Sequence, residues 1–80
     1  MAKRRVMFTF PPEVITEPII YNLGQQFRLI TNIRRADLTE ERSWIALELE
    51  RKEKNIEAGI AQATFKGVRV DLVTGDIEEG

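Results

Sequence analysis

An apolar residue at every second position recurs in four short stretches of this chain, and that period of two constrains the fold more than any other feature. Residues 5–10, Arg-Val-Met-Phe-Thr-Phe, put Val6, Phe8 and Phe10 on one face and Met7 and Thr9 on the other. Pro11-Pro12 ends this strand, because neither residue can donate to a ladder. Residues 28–36 set Leu29, Thr31 and Ile33 against Ile30, Asn32 and Arg34. Residues 42–50 set Ile45, Leu47 and Leu49 against Trp44, Ala46 and Glu48. A last strand over 68–73 sets Val68, Val70 and Leu72 against Arg69 and Asp71. Between these stretches the period changes. After Thr16-Glu17-Pro18, where Thr can cap and Pro fits the first turn, Ile20, Leu23 and Phe27 recur at spacings of three and four. Arg51 to Lys66 reads as a second helix, with Ile56, Gly59, Ile60, Ala63 and Thr64 on its apolar face and Gly67 as its stop.

The order strand, helix, strand, strand, helix, strand predicts an α+β fold, the ferredoxin-like βαββαβ sandwich: a four-stranded antiparallel sheet with two helices on one face. The polar stretch Asp37-Leu38-Thr39-Glu40-Glu41 reads as the turn of a hairpin between the second and third strands. Eighty residues fit a single domain over 1–80, with a core about residues 5–73. A chain of this size buries only about 60–65% of its unfolded surface. The basic start, Met1-Ala2-Lys3-Arg4-Arg5, and the acidic end, Asp76-Ile77-Glu78-Glu79, read as solvated tails.

Composition removes several kinds of chemistry. With no Cys and no His there is no disulfide, no thiolate, no common zinc, haem or iron–sulfur ligand, and no imidazole base. The residues show no catalytic constellation and no phosphate-binding loop, so the expectation is a protein that is not an enzyme and that holds neither metal nor cofactor. Twelve basic and thirteen acidic residues leave a net charge of −1, which offers no bulk attraction to nucleic acid. RNA-recognition modules share this topology but stack bases on open-face aromatics of the central strands. Here Phe8 and Phe10 point toward the predicted core. No apolar run approaches the roughly 20 residues of a membrane span, so no membrane insertion is expected and the chain is placed in the cytoplasm.

Two helices would cover one sheet face and leave the other open. That open face would carry Met7, Ile30, Trp44 and Ala46 beside polar residues, a mixture that usually marks an interface. Trp44 and Met7 are the expected interface residues of a homodimer or higher homo-oligomer, formed through this face or a sheet edge. Asn32 is unusual in a strand, because its side chain competes for local backbone hydrogen bonds. Either its amide is used for a ligand or it is a partly exposed residue that bonds a dimer partner.

From Pro18 to Val73 the chain resembles the NIL domain, the ACT-like module at the C-terminus of methionine-import ABC transporter ATPases. The carriers of this resemblance are the helix Ile19–Phe27, the strand Thr31-Asn32-Ile33, which matches the first two residues of the asparagine-isoleucine-leucine motif, the strand Trp44-Ile45-Ala46-Leu47-Glu48-Leu49, and the run from Ile56-Glu57-Ala58-Gly59-Ile60 to Lys66-Gly67-Val68-Arg69-Val70. Arg34 stands where the family usually has Leu, and Asp37–Arg42 stands where many relatives have a glycine-rich turn. With no ATPase domain in the sequence, a free-standing form is expected.

The resemblance implies binding of a methionine-like amino acid at an interface between two copies. Asn32 would contact the amino acid's polar groups, Ile33 would pack beneath it, Arg34 would pair with its carboxylate, and Ile30 would lie beside them. A protein partner such as a transporter is also implied. The alternative is a structural protein–protein interaction module that takes no small molecule.

Overall fold

The computed structural model describes residues 1–12, 18–39 and 43–73. The expected Thr16 cap lies outside the described residues. So do Glu40 and Glu41 of the predicted turn, Arg42 at the predicted start of the third strand, and the acidic end from residue 74 onward.

The six elements follow the predicted order: β1 (Ala2–Phe10), α1 (Ile19–Phe27), β2 (Ile30–Leu38), β3 (Ser43–Arg51), α2 (Glu53–Phe65) and β4 (Arg69–Leu72). They form one four-stranded sheet in the order β2-β3-β1-β4, and every neighbouring pair is antiparallel. Both long strands at the centre place their apolar set on the helix-covered face. Val6, Phe8 and Leu49 are fully buried and Leu47 is 1% exposed. Ile19 and Leu23 of α1 and Ile56 and Ala63 of α2 close over them. Phe8 and Phe10 meet edge to face, with ring centres 6.1 Å apart.

The end of α2 shows how sequence sets a boundary. Gly67 has φ of 100°, a left-handed value that a side chain resists. From there the Val68 N–H reaches the Ala63 carbonyl and the Gly67 N–H reaches the Thr64 carbonyl, each at 3.0 Å. This is a Schellman motif, which satisfies carbonyls that the helix leaves without partners. Its apolar contact is supplied by Val68 and Ala63, both buried. Predicted as apolar-face, Thr64 is exposed, and its Oγ1 donates to the Ile60 carbonyl at 2.9 Å. A hydroxyl one turn from its own carbonyl acceptor is satisfied at the surface and has no reason to turn inward. Asn55, at the start of α2, donates from Nδ2 to the Phe27 carbonyl at 3.2 Å and ties the two helices together. Gly59 lets α2 approach closely, since a Cβ there would stand 2.6 Å from Leu29 Cδ1.

Among the boundaries that differ from the sequence reading, two bear on the open face of the sheet. First, β1 begins at Ala2, not residue 5, so the basic segment is strand: Ala2 pairs with Arg51, Lys3 with Glu50 and Arg4 with Leu49. Lys3 and Arg5 face the opposite charges of Glu50 and Glu48 across the ladder, and Arg4 forms an ion pair with Glu53 in the first turn of α2. Second, β2 runs on through Asp37 and Leu38, which pair with Trp44 and Ser43. The buried Ser43 donates from Oγ to the Thr39 carbonyl at 3.2 Å and closes the end of this hairpin.

Candidate functional site

Residues directly opposite each other on neighbouring strands share a face. The register therefore lays out the uncovered side of the sheet in rows. One row runs Ile30–Glu50–Lys3 and the next Asn32–Glu48–Arg5. Then follow Arg35–Ala46–Met7–Asp71 and Asp37–Trp44–Thr9–Arg69. No helix packs on this side. Met7, Thr9, Trp44, Ala46 and Glu48 are nonetheless only partly exposed, sheltered by the side chains around them.

The predicted site residues do not all gather. Asn32 lies on the open face, exposed, with Glu48 as its cross-strand partner. Among the described residues no hydrogen bond engages its side-chain amide. Ile30 shares its face, one row away. Ile33 lies on the opposite face, as alternation predicts, yet it is 57% exposed where a core position was expected. Cover is lacking there because β2 is an edge strand that runs beyond the short α1.

A bulge in β2 falls at Arg34. The ladder skips a residue between Ile33, which pairs with Leu47, and Arg35, which pairs with Ala46. Arg34 is thus the inserted residue of a β-bulge, with no partner across the ladder. The bulge shifts the phase of the strand beyond it, and Arg35, opposite Ala46, takes a position on the Asn32 face. Trp44 and Asn32 stand two rows apart, so Trp44 neighbours Asp37 and Thr9 while Asn32 neighbours Glu48. Met7 and Trp44 lie in adjacent rows and share the apolar centre of the face.

Charge on this face is arranged in opposite pairs. Arg5 Nε lies 3.7 Å from Glu48 Oε2, and Arg69 Nε lies 3.1 Å from Asp71 Oδ2. On β2, Arg35 and Asp37 carry no ion pair among the described residues. Both were outside the sequence reading of the site. The doublet Arg34-Arg35 next to an edge strand was the one signal, and it does not say which arginine is inserted.

A cavity of about 290 Å³ lies elsewhere, between α1 and α2, lined by Ile19, Asn22, Leu23, Gln26, Gln62 and Lys66. It contains none of the predicted site residues. Among the described residues no cluster of acidic side chains could hold a metal ion, and no helix is long and apolar enough to cross a membrane.

Comparison with known proteins supplies the context for this geometry. The family model of the NIL domain matches residues 4–72. The C-terminal domain of an ABC transporter ATP-binding protein from Enterococcus faecalis has a similar fold in its crystal structure, with a TM-score of 0.79 and 19% identity over 91% of this chain and 86% of that one. Among curated proteins none matches the chain.

Proposed function

The chain belongs to the NIL domain family, and we propose that it is a non-catalytic regulatory domain that binds a methionine-like amino acid between two copies of itself. Binding would favour one arrangement of the copies over another and so pass a signal on. The observation that carries this function is the place of Asn32 within a family match over residues 4–72. Its amide is exposed on the open face and uncommitted among the described residues, with two donors and an acceptor available to an α-amino acid. Asn32 would contact the ligand's polar groups. Arg34, together with Arg35 one row away on the same face as Asn32, would pair with the carboxylate. Because β2 is an edge strand, a ligand here would reach both its own copy and an adjacent one. The chain would act in the cytoplasm, beside an ABC transporter ATPase, the kind of protein that carries the structural neighbour from Enterococcus faecalis.

A second function, docking on a larger protein without any small molecule, is favoured by one observation. From Asn32 to Leu38 β2 is exposed, with Ile33 and Leu38 bare and its outer edge at the margin of the sheet. Such an edge suits strand addition by a partner.

Thermal unfolding with L-methionine and other amino acids separates the two. A ligand at about 100 times its dissociation constant adds ~2.7 kcal/mol of stability, a readily measured rise in melting temperature. No rise with any amino acid at millimolar concentration would sink the ligand-binding function and leave the docking one.

A further inference from the structure

Charged residues make up 31% of the chain, yet α1 carries none from Ile19 to Phe27 and α2 carries none from Ala58 to Phe65. A helix lying on a sheet usually turns charges outward. Here the exposed residues include Tyr21, Asn22, Gln25 and Gln26 on α1 and Ala61 and Phe65 on α2. Charge returns at the borders of this field, with Arg28, Glu57 and Lys66. Tyr21 is 65% exposed and Phe65 84%, so both aromatic side chains stand without cover. A neutral field with aromatic residues inside a charged rim has the composition of a protein interface.

The chain has six asparagine and glutamine residues, and four of them, Asn22, Gln25, Gln26 and Gln62, line the cavity between the two helices. Among the described residues no hydrogen bond engages these four side chains, whereas Asn55 is committed to the Phe27 carbonyl. Buried Ile19, Leu23 and Ala63 supply the apolar part of the lining. A carboxamide has two donors and an acceptor, which match the carbonyl and N–H of a peptide group. A helical partner uses those groups internally; an extended one leaves them for its neighbour. Over most of the groove a charged residue would lose water and meet no counter-charge. We propose that the groove between α1 and α2 docks an extended, uncharged segment of a partner protein, with one apolar side chain in the cavity and peptide groups on the carboxamides.

The helices set the length of the segment. At 1.5 Å per residue α1 is about 14 Å long, which about four extended residues span. So short a contact falls well below the roughly 1,200 Å² of a stable complex, and its affinity is correspondingly weak. Without charges at its centre, it depends little on salt. The groove lies on the helix side of the sheet, away from the open face that holds Asn32 and from the outer edge of β2. It stands apart from both functions proposed above and does not need either.

The test is proton–nitrogen NMR of the whole chain, titrated to millimolar with acetylated and amidated tetrapeptides of leucine, phenylalanine, alanine and serine. The side-chain amide signals of Asn22, Gln25, Gln26 and Gln62 shift and saturate, while those of Asn32 and Asn55 stay still. Methylating the central peptide nitrogen removes a donor and weakens binding by about tenfold or more. A glutamate or lysine at the centre of the peptide does the same, and so does Gln25→Glu or Gln62→Glu in the protein. Circular dichroism verifies folding, and Gln62→Ala replaces the charged variant should that one unfold. Three results overturn the proposal: no shift of the four signals with any peptide at millimolar concentration, charged peptides that bind as tightly as neutral ones, or shifts confined to β2. L-methionine keeps the ideas apart. It is expected to move the Asn32 signal and leave these four unchanged; methionine shifts at the four would put the amino acid in the cavity and remove the docked segment.

Discussion

Leu47 and Ile33 stand directly opposite each other on β3 and β2, on the same face of the sheet, yet Leu47 is 1% exposed and Ile33 57%. One belongs to a central strand and the other to an edge strand. Alternation decides which side of a sheet a residue takes, but a covering layer decides whether that side is dry. Here α1 and α2 close over the centre, and β2 runs past them. The same polypeptide thus offers a core whose sequence is dictated by volume and an edge whose sequence is free to serve binding.

The largest expected effect comes from truncating both members of this pair. Leu47→Ala removes a fully packed side chain and should cost roughly 2–5 kcal/mol. For Ile33→Ala the loss should stay below about 1 kcal/mol, because more than half of the side chain is already in water. Urea unfolding of the two variants measures the contrast directly. Equal losses would mean that β2 is covered in solution, by a second copy or by another partner, and the comparison would break.

Two smaller changes ask whether the helical cover is what separates the regions. Gly67→Ala forces a side chain into the left-handed conformation that ends α2, at about 1–2 kcal/mol. Asn55→Ala removes the hydrogen bond between α2 and the end of α1, worth about 1 kcal/mol. Both should speed amide exchange in β1 and β3, beneath the helices, more than in the distal half of β2. Uniform acceleration across the sheet would instead show that the edge and centre open as one unit.

Much of this contrast was legible in the sequence, and what was hidden has a physical cause. Order of elements, antiparallel pairing and the inward set Val6, Phe8, Leu47 and Leu49 all follow from a period of two broken by two periods of three and four. Charges on strands were harder. Lys3, Arg4 and Arg5 look like a tail by composition, but they join β1 because Glu48, Glu50 and Glu53 stand where they can answer them. The bulge at Arg34 leaves no mark in hydropathy, since one arginine follows another and either can be the inserted residue. Every assignment downstream of it shifts by one face. Asn32, upstream, keeps the open-face position that alternation assigns it, whereas Arg35, downstream, moves onto that face.

That asymmetry makes Asn32 the sharpest probe of the edge, with the smallest expected effect on stability. Its side chain is exposed and has no hydrogen bond among the described residues, so Asn32→Ala should change the unfolding free energy by no more than about 0.5 kcal/mol. If the amide contacts an amino acid, the same substitution removes the melting-temperature rise produced by L-methionine while the unfolding free energy without amino acid stays as in the wild type. The two readouts separate because Asn32 lies at the margin of the open face, opposite Glu48, and outside the apolar centre formed by Met7, Trp44 and Ala46. A variant that loses stability outright would make Asn32 a structural residue of β2. A variant that keeps the full methionine response would move the ligand off this strand, and the cavity between α1 and α2 would be the next place to look.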